Sequence, residues 1–162
     1  DYSVTSVASA DSFSGPGILG NAVTLLNPAN DISGSIQIIT AAPAITDAGD
    51  VKTGINQSPG TSISIAGTAS FTAEPSTVAD SGVINLSNAG NSFGALVLTG
   101  SDVTITEDTG DLVIASVDAS GALSITSTGN ISQTGPISAS VLTIDAAGGS
   151  VSLSDVDNEF LP

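Results

Sequence analysis

Leu86-Ser-Asn-Ala-Gly-Asn-Ser-Phe93 is the second of three versions of one eight-residue phrase. The others are Leu25-Leu-Asn-Pro-Ala-Asn-Asp-Ile32 and Leu153-Ser-Asp-Val-Asp-Asn-Glu-Phe160. The shared pattern is L-x-[N/D]-x-x-N-x-[F/I], with a β-branched residue two places upstream each time, Val23, Ile84 and Val151. Leu25 and Leu86 lie 61 residues apart, and Leu86 and Leu153 lie 67 apart. Self-similarity at a long, nearly fixed period marks an architecture in which each unit buries its apolar face against the next.

Around the phrases the chain alternates apolar and polar residues. The runs are Ser35-Ile-Gln-Ile38, Ser62-Ile-Ser-Ile65, Ala95-Leu-Val-Leu98, Asp102-Val-Thr-Ile105, Ala122-Leu-Ser-Ile125, Val141-Leu-Thr-Ile144 and Ser150-Val-Ser-Leu153. Each is short, β-branched and bounded by Gly, Asn, Asp or Pro, which is a strand-and-turn pattern. No 3.6-residue stripe and no capping box before an apolar run is present, so helix content is predicted near nil. An antiparallel sandwich or barrel and a parallel β-solenoid both use such strands. Asn-Gly and Asp-Gly hairpin turns are absent, which disfavours the antiparallel form.

The long repeat favours an all-β parallel β-helix of about seven coils. Ile55-Asn-Gln57-Ser corresponds to Ile131-Ser-Gln133-Thr, and residues around Glu74-Pro-Ser-Thr-Val-Ala79 are extra in the first copy, as a surface loop. On this reading the phrase is the corner of one coil in every three, and the solenoid runs over residues 21–162. Residues 1–20 fit the alternation poorly and are expected to be a lead-in, a cap or a donated strand.

Composition narrows function. The 162 residues carry 16 acids, one base (Lys52), no His and no Cys, for a formal charge of −15. Such a surface repels nucleic-acid phosphates and anionic lipid headgroups. It also keeps a β-rich surface soluble. No apolar run approaches the ~20 residues needed to span a bilayer, so no membrane insertion is expected. The chain opens Asp1-Tyr2-Ser3 and is expected to be processed or excised from a longer precursor.

The stretch from Ile45 to Phe160 resembles the repeats of filamentous haemagglutinin-like bacterial adhesins. The resemblance rests on Gly129-Asn-Ile-Ser-Gln-Thr-Gly135, Gly149-Ser-Val-Ser-Leu-Ser-Asp155 and the N-x-F ends at Asn91/Phe93 and Asn158/Phe160. It implies a secreted, right-handed parallel β-helix that projects an adhesive stalk from the cell surface.

Chemistry has few carriers here. Without His or Cys the usual general bases and thiol nucleophiles are missing. Carboxylates cluster at Glu107/Asp108 with Asp111 and at Asp155/Asp157 with Glu159, but nothing sets two of them across a groove as glycoside hydrolysis requires. No enzyme and no cofactor are expected. Calcium is the exception the residues leave room for, with Glu107, Asp108, Asp111, Asp155, Asp157 and Glu159 as hard oxygen ligands in turns. Asp47 and Asp50 are fainter versions of the same idea. Neither cluster matches an EF-hand or a G-G-x-G-x-D repeat.

Asn56, Asn85 and Asn130 each head an Asn-x-Ser glycosylation triplet. Asn30, Asn91 and Asn158 are expected to fix a corner through their own backbone, with Ile32, Phe93 and Phe160 plugging the core there. The Thr104–Thr106 and Ser62–Ser64 runs hint at a flat ice-binding face but lack regular spacing.

The expected function is therefore a non-enzymatic extracellular solenoid, a stalk segment of a secreted surface adhesin that meets cell-surface or matrix ligands. The alternative is a subunit that stacks end to end into an extracellular filament or sheath. Its expected partners are copies of itself or flanking repeats, joined through open coil ends.

Overall fold

A computed structural model describes residues 20–25, 29–32, 34, 36–40, 52–74 and 82–160. Of the lead-in expected at residues 1–20, all but Gly20 lie outside them, as do Asp47, Asp50 and residues 75–81 around the expected loop. Among the described residues there are thirteen strands and no helix. They are β1 (Gly20–Leu25), β2 (Ala29–Ile32), β3 (Ile36–Thr40), β4 (Lys52–Gln57), β5 (Ser62–Ala73), β6 (Val83–Leu86), β7 (Ser92–Gly100), β8 (Val103–Glu107), β9 (Leu112–Ser127), β10 (Ile131–Gln133), β11 (Ile137–Ala146), β12 (Val151–Ser152) and β13 (Glu159–Phe160). Among the described residues, no helix is long and apolar enough to cross a membrane.

Every strand pair among the described residues is parallel. The chain winds through three faces in turn, so the fold is a β-solenoid. On the first face β1, β4, β6, β8, the end of β9 and the end of β11 stack in that order. The second face carries β2, the start of β5 and the start of β7, and then the start of β9, β10 and β12. The third carries β3 and the later parts of β5, β7 and β9, followed by the start of β11 and by β13. The longest column has six strands, fewer than seven coils, because register partners on the first face lie 32 residues apart from β1 to β4 and 29 from β4 to β6, against 19 or 20 in the later coils.

Alternation explains the interior. On the first face Ile55, Ile84, Val103 and Leu123 stand in one column, coil on coil, and each is at most 1 % exposed. On the third face Phe71, Leu98, Val117 and Ile137 form a second such column, each at most 3 % exposed. Each fully buried aliphatic side chain contributes about 1.5–3 kcal/mol relative to exposure. Phe93 meets Phe71 edge to face, with ring centroids 6.4 Å apart at 82°.

In β5, β7 and β9 the chain turns from the second to the third face within one strand, with register shifts between Ile65 and Thr68 of β5 and between Leu96 and Val97 of β7. The first-to-second corner instead uses turns, with Gly60 at φ 77° and Gly90 at φ 82°. Glycine adopts that left-handed backbone without a Cβ penalty.

The repeated phrase is not bound to one corner. Leu86 to Phe93 rounds the first-to-second corner, while Leu153 to Phe160 rounds the second-to-third. From the first phrase to the second is two coils, and from the second to the third is three coils and one face. The expectation of one coil in every three is corrected accordingly.

Candidate functional site, a polar column along one corner

Five polar residues are buried among the described residues: Gln57, Thr61, Asn91, Glu107 and Ser127. All five lie at the first-to-second corner on successive coils. The turning backbone at that corner presents amides that need partners.

Gln57 and Asn91 form a reciprocal amide pair one coil apart. Gln57 Nε2 donates to Asn91 Oδ1 at 2.7 Å, and Asn91 Nδ2 donates to Gln57 Oε1 at 2.9 Å. Gln57 Nε2 also reaches Thr61 O at 3.0 Å. Asn91 Oδ1 accepts Ile63 N at 3.0 Å, and Asn91 Nδ2 reaches Leu86 O at 3.1 Å. Asn88 N donates to Gln57 Oε1 at 3.2 Å. Asn88 Nδ2 bonds Ser58 O and, at 3.2 Å, Thr61 O.

The same clip recurs at the second-to-third corner. Gln133 Nε2 donates to Asn158 Oδ1 at 2.8 Å and to Gly135 O at 2.8 Å. Asn158 Nδ2 returns to Gln133 Oε1 at 3.0 Å, and Ile137 N donates to Asn158 Oδ1 at 2.9 Å. Asp155 N approaches Gln133 Oε1 at 3.5 Å. Both polar positions of the repeated phrase, the third and the sixth, therefore address one glutamine a coil away. Sequence reading paired Gln57 with Gln133 as landmarks but assigned them no role. It gave Asn91 and Asn158 bonds to their own backbone, and only Asn91 to Leu86 O is of that kind. The left-handed turn falls to Gly90, not to Asn91.

Glu107 sits one coil beyond Asn91 and is 1 % exposed. Its Oε2 accepts Phe93 N at 2.6 Å, and its Oε1 accepts Thr109 Oγ1 at 2.7 Å and Thr109 N at 3.2 Å. Burial pushes this carboxyl above its ordinary value, the three donated bonds oppose that, and nearby Asp108 adds a small upward push. Ser127 continues the column, donating to Gly110 O at 3.2 Å.

The remaining acids expected as calcium ligands serve other partners. Asp108 Oδ1 accepts Gly90 N at 2.6 Å, and Asp155 Oδ1 accepts Asp157 N at 3.0 Å. Asp111 Oδ1 takes Asn130 N at 2.8 Å and Asn130 Nδ2 at 3.0 Å, and these bonds hold its carboxyl below the usual range. No group of three or more acids among the described residues is placed to share an ion. Glu159 and Asp157 instead line an open groove of about 390 Å³ on the third face, together with Asp118. There Asp118, Ser138 and Glu159 stack in register, so a serine separates the two carboxylates.

Among the glycosylation triplets, Asn56 and Asn85 are exposed neighbours on the first face. Asn130 is tied into an outward ladder, its Oδ1 accepting Ser150 N and Oγ at 2.9 and 2.8 Å. Asn30 and Ile32 pair Ile63 and Ile65 in register. Phe93 is buried, whereas Phe160 is 45 % exposed. Thr104 and Thr106 do stack outward on Ser124 and Thr126, a regularity absent from the linear spacing.

Residues 33–99 and 100–161 each match the family described as Repeats of unknown function (DUF5649). The chain belongs to that family. Its two repeats meet between Thr99 and Gly100, where the third face hands over to the first. The second repeat ends three residues after Asn158, and the first ends eight residues after Asn91. No curated protein and no solved structure matches the chain.

Proposed function

We propose that this chain is a non-enzymatic, secreted stalk segment of a surface adhesin, with length as its working property. The observation that carries the reading is the column architecture. Apolar residues close the interior from coil to coil, and the buried polar side chains spend their hydrogen bonds tying one coil to the next. A stack of six strands at about 4.8 Å spans about 25 Å, and further repeats extend it without altering any one coil. The adhesin-like motifs at Gly129–Gly135 and Gly149–Asp155 support surface display, and the acidic coat suits a solvated shaft. Cell-surface or matrix ligands would then meet whatever the shaft carries.

Antibody raised against residues 82–160 should label intact, unpermeabilised source cells. Deleting residues 100–161 should lower adhesion by shortening the shaft while leaving the protein exported. Labelling only after permeabilisation would end this reading.

A further inference from the structure

Asn56-Gln-Ser58, Asn85-Leu-Ser87 and Asn130-Ile-Ser132 share one motif, but the fold treats their asparagines differently. Asn56 and Asn85 pair in register on adjacent strands of the first face, and both are exposed. The residue between each asparagine and its serine is turned inward, Gln57 at 9 % exposure and Leu86 at 0 %. An extended chain alternates its two faces, so asparagine and serine come out on the same side. Ser58 is half-buried and Ser87 exposed. Of Ser58, only the backbone oxygen serves the corner clip. Neither site lies at an end of the stack, since β4 pairs with β1 and β6, and β6 with β4 and β8.

Asn130 is held in place instead. Its backbone N and its Nδ2 both donate to Asp111 Oδ1, while its Oδ1 accepts Ser150 N and Oγ. A bulky group on that nitrogen would crowd the Asp111 carboxylate and open the ladder.

We propose that the first-face pair, Asn56 and Asn85, and not Asn130, accepts N-linked sugar. The donor is a sugar activated as its phosphate ester, brought by a transferase that reads the serine hydroxyl. The carboxamide nitrogen bonds to the anomeric carbon, and the bond from that carbon to the phosphate oxygen breaks. The phosphate leaves with the electron pair, and the amide loses one proton. Beyond Asn85 the same outward column continues through Thr104, Ser124 and Thr143, each about 4.8 Å from the next. These side chains are small and uncharged, so a sugar on Asn85 has room above them and hydroxyls to bond. In a chain of 16 acids and one base, that column carries no charge. The inference rests on the first face alone and not on adhesion.

The test is mass spectrometry of the protein purified from its source cells and cleaved on the amino side of aspartate. The three asparagines then fall in separate peptides, 50–79, 80–101 and 118–144. Peptide 50–79, peptide 80–101 or both should be heavier by whole sugar residues, with fragment spectra placing the gain on asparagine. Asn130 should be unmodified. Asn56→Gln with Asn85→Gln should abolish the gain. Ser58→Ala with Ser87→Ala, which keeps both asparagines, should abolish it too, and both double variants should keep the far-ultraviolet β signal of the wild type. Bare asparagine at both first-face sites, sugar on Asn130, or sugar that survives replacement of the serines would each overturn the proposal.

Discussion

The Gln57–Asn91 clip and the Gln133–Asn158 clip share one set of bonds but not one environment. Asn91 is fully buried and Gln57 9 % exposed, with a further coil covering them. Asn158 and Gln133 are half-buried on the last coil. Identical side-chain chemistry is thus placed once under two layers of core and once at an edge. The comparison separates what the repeat encodes from what stacking adds. The repeat encodes the pairing geometry, while stacking sets how much each bond is worth, because an unmet polar group is expensive only where water is excluded.

The widest gap should come from the aromatic that ends each phrase. Phe93→Ala empties a site packed against Phe71 and should lower stability by about 3–5 kcal/mol. Phe160→Ala, already nearly half exposed, should lower it by about 1 kcal/mol or less. Urea unfolding of the two variants measures both, and equal losses would break the comparison.

Next come the asparagines. Asn91→Ala strands the Gln57 amide, Ile63 N and Leu86 O inside the core, and should lower stability by about 2–4 kcal/mol. Asn158→Ala leaves its partners open to water and should lower it by about 1 kcal/mol.

Much of this fold was legible because a solenoid face covers one side of a strand, so Ile36–Ile38, Val103–Ile105 and Leu123–Ile125 alternate plainly. Two stretches show why others were not. Leu112-Val-Ile-Ala-Ser-Val117 breaks alternation because β9 bends from one face to the next within it. Lys52–Gln57 carries Gly54 and Asn56, poor strand formers rescued by pairing with β1 and β6 on both sides. The clip was half legible. Both its glutamines and asparagines recur, but the bonds span 34 and 25 residues, and no local pattern pairs positions so far apart. The burial of Glu107 was not legible, since an acid in Glu-Asp-Thr-Gly-Asp reads as a solvated turn until the coil beside it is known.

That turn supplies the smallest contrast, between two carboxylates four residues apart. Glu107 is inside the corner with its pKa raised by burial; Asp111 is outside with its pKa lowered by the Asn130 bonds. Linkage gives them opposite signs. For Glu107 the folded form holds its proton more tightly than the unfolded chain, so its contribution is most favourable below the unfolded value of 4.5 and is lost as pH rises through the folded value. For Asp111 the contribution is present above the unfolded value of 3.8 and is lost as pH falls through the folded value.

The wild type should therefore lose stability relative to Glu107→Gln as pH rises from about 4 to 7. Relative to Asp111→Asn it should lose a smaller amount as pH falls below about 4. Glutamine also turns a donor toward Phe93 N or Thr109 N, so the absolute stability of that variant drops at every pH, and the slope rather than the offset reports the charge. Denaturation midpoints of the three proteins across this range should give difference curves of opposite slope. Curves of the same slope would mean that Glu107 and Asp111 share one electrostatic environment, and the corner would not divide inside from outside as its geometry requires.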